Sequence, residues 1–176
     1  MRAEDVVELV EAWDGAGIDV WLDGGWGVDA LLTEQTREHD DLDIVVSVDH
    51  LPGLLVLLAK RGFVTIKPWP DSPEGIVVAD ATDRRVDIHP LRFETDGNAV
   101  QRIEGGEWTY PSEGFTGRGV VAGRSVPCLS AEVQVLCHAG YELQNDDIHD
   151  LSALHERLGV KLLPFQEQAI AKAGTP

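Results

Sequence analysis

Apolar residues recur along this chain with two periods. Over Ala3 to Trp13, the side chains of Val6, Val7, Leu9, Val10 and Trp13 fall on one side at helical spacing, and Gly15 and Gly17 punctuate the end of the predicted helix. The short apolar run Ile18 to Leu22 predicts a strand ending at Gly24-Gly25, with a helix over Trp26 to Leu32 directly after it. Leu42 to Val48 predicts a strand, and Leu51 to Arg61 a helix closed by Gly62. Three further strands are predicted at Phe63 to Lys67, Gly75 to Asp80 and Arg84 to Ile88. A turn at Asp71-Ser72-Pro73-Glu74-Gly75 and a tight hairpin connection at Ala81-Thr82-Asp83 join them.

Beyond Asp96 the periodicity fades. The glycine-rich stretch to Gly123 reads as irregular strands and loops over a site, held in order by Trp108, Tyr110 and Phe115. Ser130 then caps a helix through about Leu143, Asp146 or Asp147 opens another that Gly159 ends, and one short helix follows Pro164. Residues 1–127 are expected to form the core and 128–176 a C-terminal helical segment.

The motif that carries chemistry lies where strand gives way to helix. Gly24-Gly25-Trp26-Gly27 in a strand-to-helix turn lets backbone approach a phosphate. Asp41 and Asp43, one residue apart in the next strand, share a face while Leu42 and Ile44 take the other. Asp87, flanked by Val86 and Ile88, projects in the same alternating way from a later strand. If the strands are neighbours, three carboxylates meet at one end of a sheet, and their mutual repulsion calls for divalent cations. Each element alone has a plain explanation, as a turn, a helix start or a pair with Arg84 or Arg85. The order glycines, paired carboxylates, third carboxylate is hard to obtain from turn chemistry.

Composition narrows the class. A chain of 176 residues with 43% hydrophobic content can bury a full core as one domain, or as one domain with a helical extension. No stretch approaches the roughly 20 apolar residues of a membrane span. The two cysteines, Cys128 and Cys137, suit a reduced cytoplasmic setting rather than a disulfide framework, and their spacing suits no zinc site. Lys and Arg total 14 against 31 Asp and Glu, a net charge of -17, which repels nucleic acid and attracts small cations.

The runs Val20-Trp21-Leu22-Asp23-Gly24-Gly25-Trp26-Gly27-Val28-Asp29 and Arg37-Glu38-His39-Asp40-Asp41-Leu42-Asp43 resemble the antibiotic nucleotidyltransferases of the DNA polymerase β-like superfamily. Within these, the resemblance is greatest to lincosamide nucleotidyltransferases and next to aminoglycoside 2''-nucleotidyltransferases. It extends through Val86-Asp87-Ile88-His89-Pro90, Glu104-Gly105-Gly106, Val126-Pro127-Cys128-Leu129-Ser130 and His138-Ala139-Gly140-Tyr141, over residues 1–158. The gap from Gly25 to Asp41 is long for the superfamily, a habit of the antibiotic-modifying branch.

The resemblance implies an α+β fold: a mixed, mostly antiparallel sheet with helices on one side, followed by C-terminal helices. It implies transfer of AMP from ATP, or of a nucleotide from another nucleoside triphosphate, to a hydroxyl of a small cationic antibiotic, a lincosamide first and an aminoglycoside second. A protein hydroxyl is a further alternative. Gly24, Gly25, Arg37 and His39 would hold the nucleotide, while Asp41, Asp43 and Asp87 would be catalytic and bind Mg²⁺, two ions in all. Arg37 and His39 also admit a reading as surface ion pairs, and His89 as a packed histidine. Trp69, Trp108, Tyr110 and Tyr141 are candidate aromatic walls; Asp80, Glu104, Glu107, Asp146, Asp147 and Asp150 are candidate partners for an amine. Homodimerisation, common in the family, is a further expectation.

Overall fold

The computed structural model describes residues 1–68 and 75–174; Trp69 and the turn expected at 71–74 lie outside them. Helix α1 (Ala3–Gly15) is capped by the Asp5 carboxylate, which accepts from the Arg2 backbone N–H at 3.1 Å. Strand β1 (Val20–Leu22) leads into α2 (Gly24–Leu32), β2 (Asp41–Ser47) into α3 (Leu51–Lys60). Then come β3 (Val64–Pro68), β4 (Ile76–Ala79), β5 (Arg85–Phe93), β6 (Ala99–Ile103) and β7 (Gly106–Tyr110). A 3₁₀ turn (Ser112–Thr116) precedes the hairpin β8 (Arg118–Val121) and β9 (Arg124–Pro127); α4 (Ala131–Cys137), α5 (Asn145–Leu158) and α6 (Pro164–Ala173) complete the chain.

Among the described residues, β1 to β7 form one mixed sheet in the order β1-β2-β5-β4-β3, with β6 and β7 added along the far half of β5. Only β2 and β5 run parallel; the other pairs are antiparallel. Strand alternation sends Leu42, Ile44, Val86 and Ile88, all fully buried, to one face. There they meet Val6, Leu9 and Trp13 of α1 and Leu54 and Leu58 of α3. On the opposite face Val45 and Leu91 pack with Leu129 and Val133, so α4 covers part of that side.

Several boundaries differ from the expectation. Strand β5 was expected to stop at Ile88 before Pro90 but runs on to Phe93. Leu91 turns its carbonyl to Val48, so Pro90 points the other way, between the last partner of β4 at Ile88 and the first partner of β6 at Arg92, where its missing N–H breaks no ladder bond. The stretch 96–123 is more regular than expected, two hairpins turning at Glu104-Gly105 and at Ala122-Gly123. Helix α4 ends at Cys137 rather than near Leu143. The Gln166 amide donates to the carbonyls of Val135 and His138, both at 2.9 Å, and so takes acceptors that a continuing helix would use.

Candidate active site

The parallel register of β2 and β5 places Asp43 beside Asp87 and Asp41 beside Arg85. Because their neighbours face the apolar core, Asp41, Asp43 and Asp87 share one face of the sheet. Asp41 and Asp43 line a cavity of about 560 Å³; Asp87, 5% exposed, does not. Burial first, and then the charges of Asp43 and Asp40, raise the Asp41 carboxyl above its ordinary range. Three carboxylates on one face are the oxygen donor set that Mg²⁺ takes. Among the described residues, however, no group of three or more His, Cys, Asp or Glu is gathered closely enough to hold a metal ion.

Above these carboxylates the chain turns at Asp23-Gly24-Gly25. The Asp23 Oδ1 accepts from the Gly24 N–H at 2.8 Å, capping α2 two residues earlier than expected, and the Asp23 N–H donates to the Asp43 carbonyl at 3.0 Å. Gly24 has φ +56°, and a β-carbon there would sit 2.4 Å from Asp43 Oδ2; only glycine satisfies both conditions. The Asp23 carboxyl is raised, burial being the main cause, with the neighbouring His89 opposing it.

Arg37 lies against the same turn: a β-carbon on Gly25 would come within 2.4 Å of its guanidinium. Its Nε and Nη2 donate to the two oxygens of Asp150 at 2.9 and 2.7 Å, and Nη1 lies 3.4 Å from Asp146. The ion pairing that Arg37 also admits is thus made with α5, more than a hundred residues away. Arg37 still lines the cavity. His39 stands behind the turn and outside the cavity lining, at 7% exposure, because its Nε2 is 2.6 Å from Asp29 and its ring lies 4.5 Å from that of Trp26. Burial raises the Asp29 carboxyl, but hydrogen bonds from His39 and Thr36 outweigh it and leave the group lowered.

A polar chain crosses the floor. Tyr110 donates to Gln101 Oε1 at 2.9 Å, Gln101 Nε2 lies 3.3 Å from His89 Nδ1, and His89 Nε2 is 3.4 Å from Asp43 Oδ1. Burial alone would lower His89; the hydrogen bond to Asp43 and the charges of Asp43, Asp23 and Asp87 raise it on balance. The β6–β7 hairpin supplies one wall with Gln101, Ile103, Trp108 and Tyr110. Cys137, His138, Ala139 and Tyr141, with Asp147 and Asp150 of α5, supply the other.

Of the candidate acceptor residues, Trp108, Tyr110, Tyr141, Asp147 and Asp150 line the cavity, whereas Glu104 and Asp146 do not. Asp80 and Glu107 lie elsewhere, paired with Arg84 and Arg92. Asp23 and Gln101 were not anticipated. Asp23 had a signal, a capping residue just before the glycines; Gln101 had none, because only the curl of the β6–β7 hairpin brings it in.

A mixed sheet with a parallel central pair, an N-terminal helix turn over that pair and a carboxylate face beside an open cavity define a nucleotidyltransferase. The family profile described as aminoglycoside-2''-adenylyltransferase matches residues 5–154, and the chain belongs to this family. A lincosamide resistance protein of Staphylococcus haemolyticus is 31% identical over 152 residues, covering 86% of this chain and 92% of that protein. A 2''-aminoglycoside nucleotidyltransferase of Escherichia coli is 26% identical over 71% of this chain and 66% of its own length. The crystal structure of the lincosamide antibiotic adenylyltransferase LnuA with lincomycin bound superposes with a TM-score of 0.74 at 31% identity, over 86% of this chain and 94% of the other. ANT(2'')-Ia in complex with adenylyl-2''-tobramycin shares the fold, with a TM-score of 0.74 at 20% identity over 98% of both chains.

Proposed function

We propose that this nucleotidyltransferase transfers AMP from ATP to a hydroxyl of a lincosamide, releasing pyrophosphate and inactivating the drug. The observation that carries the reading is the register of Asp43 with Asp87, with Asp41 on the same face, directly beneath the Gly24-Gly25 turn. The similarity to a lincosamide resistance protein over nearly the whole of both chains supports the choice of drug.

In this reading the start of α2, with the backbone N–H groups of Gly24 and Gly25, receives the triphosphate at the positive end of the helix. Arg37, held flat by Asp150, offsets phosphate charge beside that turn, and His39 with Asp29 buttresses it from behind. Asp41, Asp43 and Asp87 are the residues that would hold Mg²⁺, which supplies charge neutralisation at the phosphates and acidifies the attacking hydroxyl. Asp87, nearly buried and outside the cavity lining, is not set for direct contact with the acceptor. The acceptor oxygen bonds to the α-phosphorus as the bond to pyrophosphate breaks, and its proton passes to a carboxylate of the same face. The protein contributes chiefly alignment. Residues 1–127 carry the nucleotide half, and 128–176 supply the second wall of the acceptor half.

The family description favours one second reading, an aminoglycoside acceptor, and the net charge of -17 suits either cationic drug. No helix among the described residues is long and apolar enough to cross a membrane; in this reading the enzyme is cytoplasmic and meets its drug inside the cell. Incubating a lincosamide and aminoglycoside panel with ATP and Mg²⁺ and reading products by mass spectrometry tests the reading. One AMP added to lincomycin, abolished by EDTA, is expected. Adducts confined to aminoglycosides transfer the assignment to the second reading, and labelling of a protein with no drug adduct overturns both.

A further inference from the structure

Five carboxylates line the cavity: Asp23, Asp41, Asp43, Asp147 and Asp150. Four are already engaged. Asp41 and Asp43 stand on the reacting face. Asp23 is buried and accepts from the Gly24 N–H, and Asp150 grips the Arg37 guanidinium through both oxygens.

Asp147 differs from all of these. Its Oδ2 accepts from the Gln144 N–H and its Oδ1 from the Tyr141 hydroxyl at 3.1 Å, both neutral donors, and among the described residues it has no Lys or Arg partner. His138 Nε2 lies 3.7 Å from the same Oδ1. The His138 Nδ1 sits 2.7 Å from the Gln134 carbonyl, which can only accept, so in the neutral ring the proton is on Nδ1 and Nε2 presents a lone pair. In that neutral form an acceptor nitrogen and a carboxylate oxygen stand side by side at the cavity wall, an arrangement suited to one ammonium N–H.

Away from the reacting face, and apart from Asp150, which Arg37 already pairs, the rest of the acceptor lining is neutral. Ile103, Trp108 and Tyr141 offer apolar surface, and burial holds the Tyr110 phenol and the Cys137 thiol well above their ordinary values, so neither lends a charge. We propose that the cavity selects an acceptor with a single cationic amine, received by Asp147 beside His138, and rejects one carrying several. A second or third ammonium group would be desolvated against this wall without a counterion, a penalty that the long-range field of an acidic protein does not repay. This rests on the antibiotic-nucleotidyltransferase reading and gives it a chemical basis for preferring a lincosamide, with one basic amine, over an aminoglycoside, with several.

The test is drug binding by calorimetry on the full chain without ATP, so that it stands apart from the adduct assay that judges transfer itself. Lincomycin is compared with an analogue whose amine nitrogen carries an acyl group and no charge, and with kanamycin, on wild type and Asp147→Asn. Asparagine keeps the side-chain oxygen that accepts from the Gln144 N–H, and thermal unfolding confirms the fold. A charge-assisted hydrogen bond predicts a loss of about 10- to 100-fold for lincomycin on Asp147→Asn, a similar loss for the acylated analogue on wild type, and less than about twofold change when the analogue meets the variant. Kanamycin is expected to bind wild type at least about tenfold more weakly than lincomycin. Equal losses for charged and uncharged drug on Asp147→Asn, or kanamycin bound as tightly as lincomycin, overturn the proposal. If the variant fails to fold, wild type alone decides: similar affinity for lincomycin and its acylated analogue also overturns it.

Discussion

Strands β2 and β5 carry two opposite environments on one backbone. Leu42, Ile44, Val86 and Ile88 face a dry core with α1 and α3, while Asp41, Asp43 and Asp87, interleaved with them, face the cavity side. The first set is fully buried among carbon atoms and contributes stability. The second places carboxylates on a half-buried face, where burial first and then the charges of Asp43 and Asp40 raise Asp41 and disfavour the folded state. Period-two alternation thus lets one pair of strands hold the molecule together through one face and keep a costly arrangement ready on the other. The strain on the polar face is tolerable because the apolar face secures the register that creates it.

Separating the two faces by mutation gives the largest contrast. Asp43→Asn, and likewise Asp41→Asn, should lower turnover by about two orders of magnitude or more while leaving the melting temperature unchanged or raised, since a repulsion is relieved. Pyrophosphate release and thermal unfolding, measured on the same preparations, check this. Unfolding of either variant, with a wild type indifferent to EDTA, would return the carboxylates to a structural role.

Ile44→Ala, the adjacent residue on the other face, should do the reverse. A loss of about 3 kcal/mol in denaturant unfolding is expected, with little change in kcat for the protein that remains folded. A fall in kcat as large as that of Asp43→Asn would mean that the faces are not separable.

At the rim, Gly25→Ala sharpens the comparison by disturbing position without removing charge. Its β-carbon would press on Arg37 and His39, both held in place by carboxylates, so KM for ATP should rise about tenfold with a smaller change for the drug. Steady-state kinetics varying each substrate in turn would show it; equal effects on both KM values would place the turn outside the nucleotide half.

The smallest effect lies far from either face. Hydrogen bonds from Thr82 and Arg84 outweigh burial and hold the Asp80 carboxyl down at about 2. A carboxyl lowered in the folded state adds stability that is fully present above its unfolded value near 4 and is lost as pH falls through about 2. Asp80→Asn should therefore cost about 1 kcal/mol at pH 7, screened as a surface pair is, and the gap to wild type should close towards pH 2. Urea unfolding at several pH values measures it, and activity at pH 7 should be unchanged.

Local pattern made much of this legible. The helix over Ala3 to Trp13, the strand-turn-helix around Gly24 and the separate strands that carry Asp43 and Asp87 each follow from spacing, capping residues and alternation within about ten residues. The hairpins at Glu104-Gly105 and Ala122-Gly123 were masked by glycines that read as irregular, although each pair supplies the turn that closes its hairpin. Arg37 lies beside the glycines, but its partner Asp150 stands 113 residues along the chain, where no local spacing signals it.

The sequence by itself determined what each strand would show on each face, since alternation, chirality and side-chain polarity act between neighbours along the chain. It also determined that a glycine turn would precede the carboxylates. Only the tertiary structure decided that β2 and β5 lie side by side in a register matching Asp43 to Asp87, that Gln166 ends α4 from thirty residues away, and that α5 presents Asp150 to Arg37 and Asp147 to the cavity. These contacts join residues whose separation along the chain carries no periodic signal. They form because burying the apolar faces of the helices and the sheet brings the elements together, and the polar partners are then fixed by where that packing leaves them.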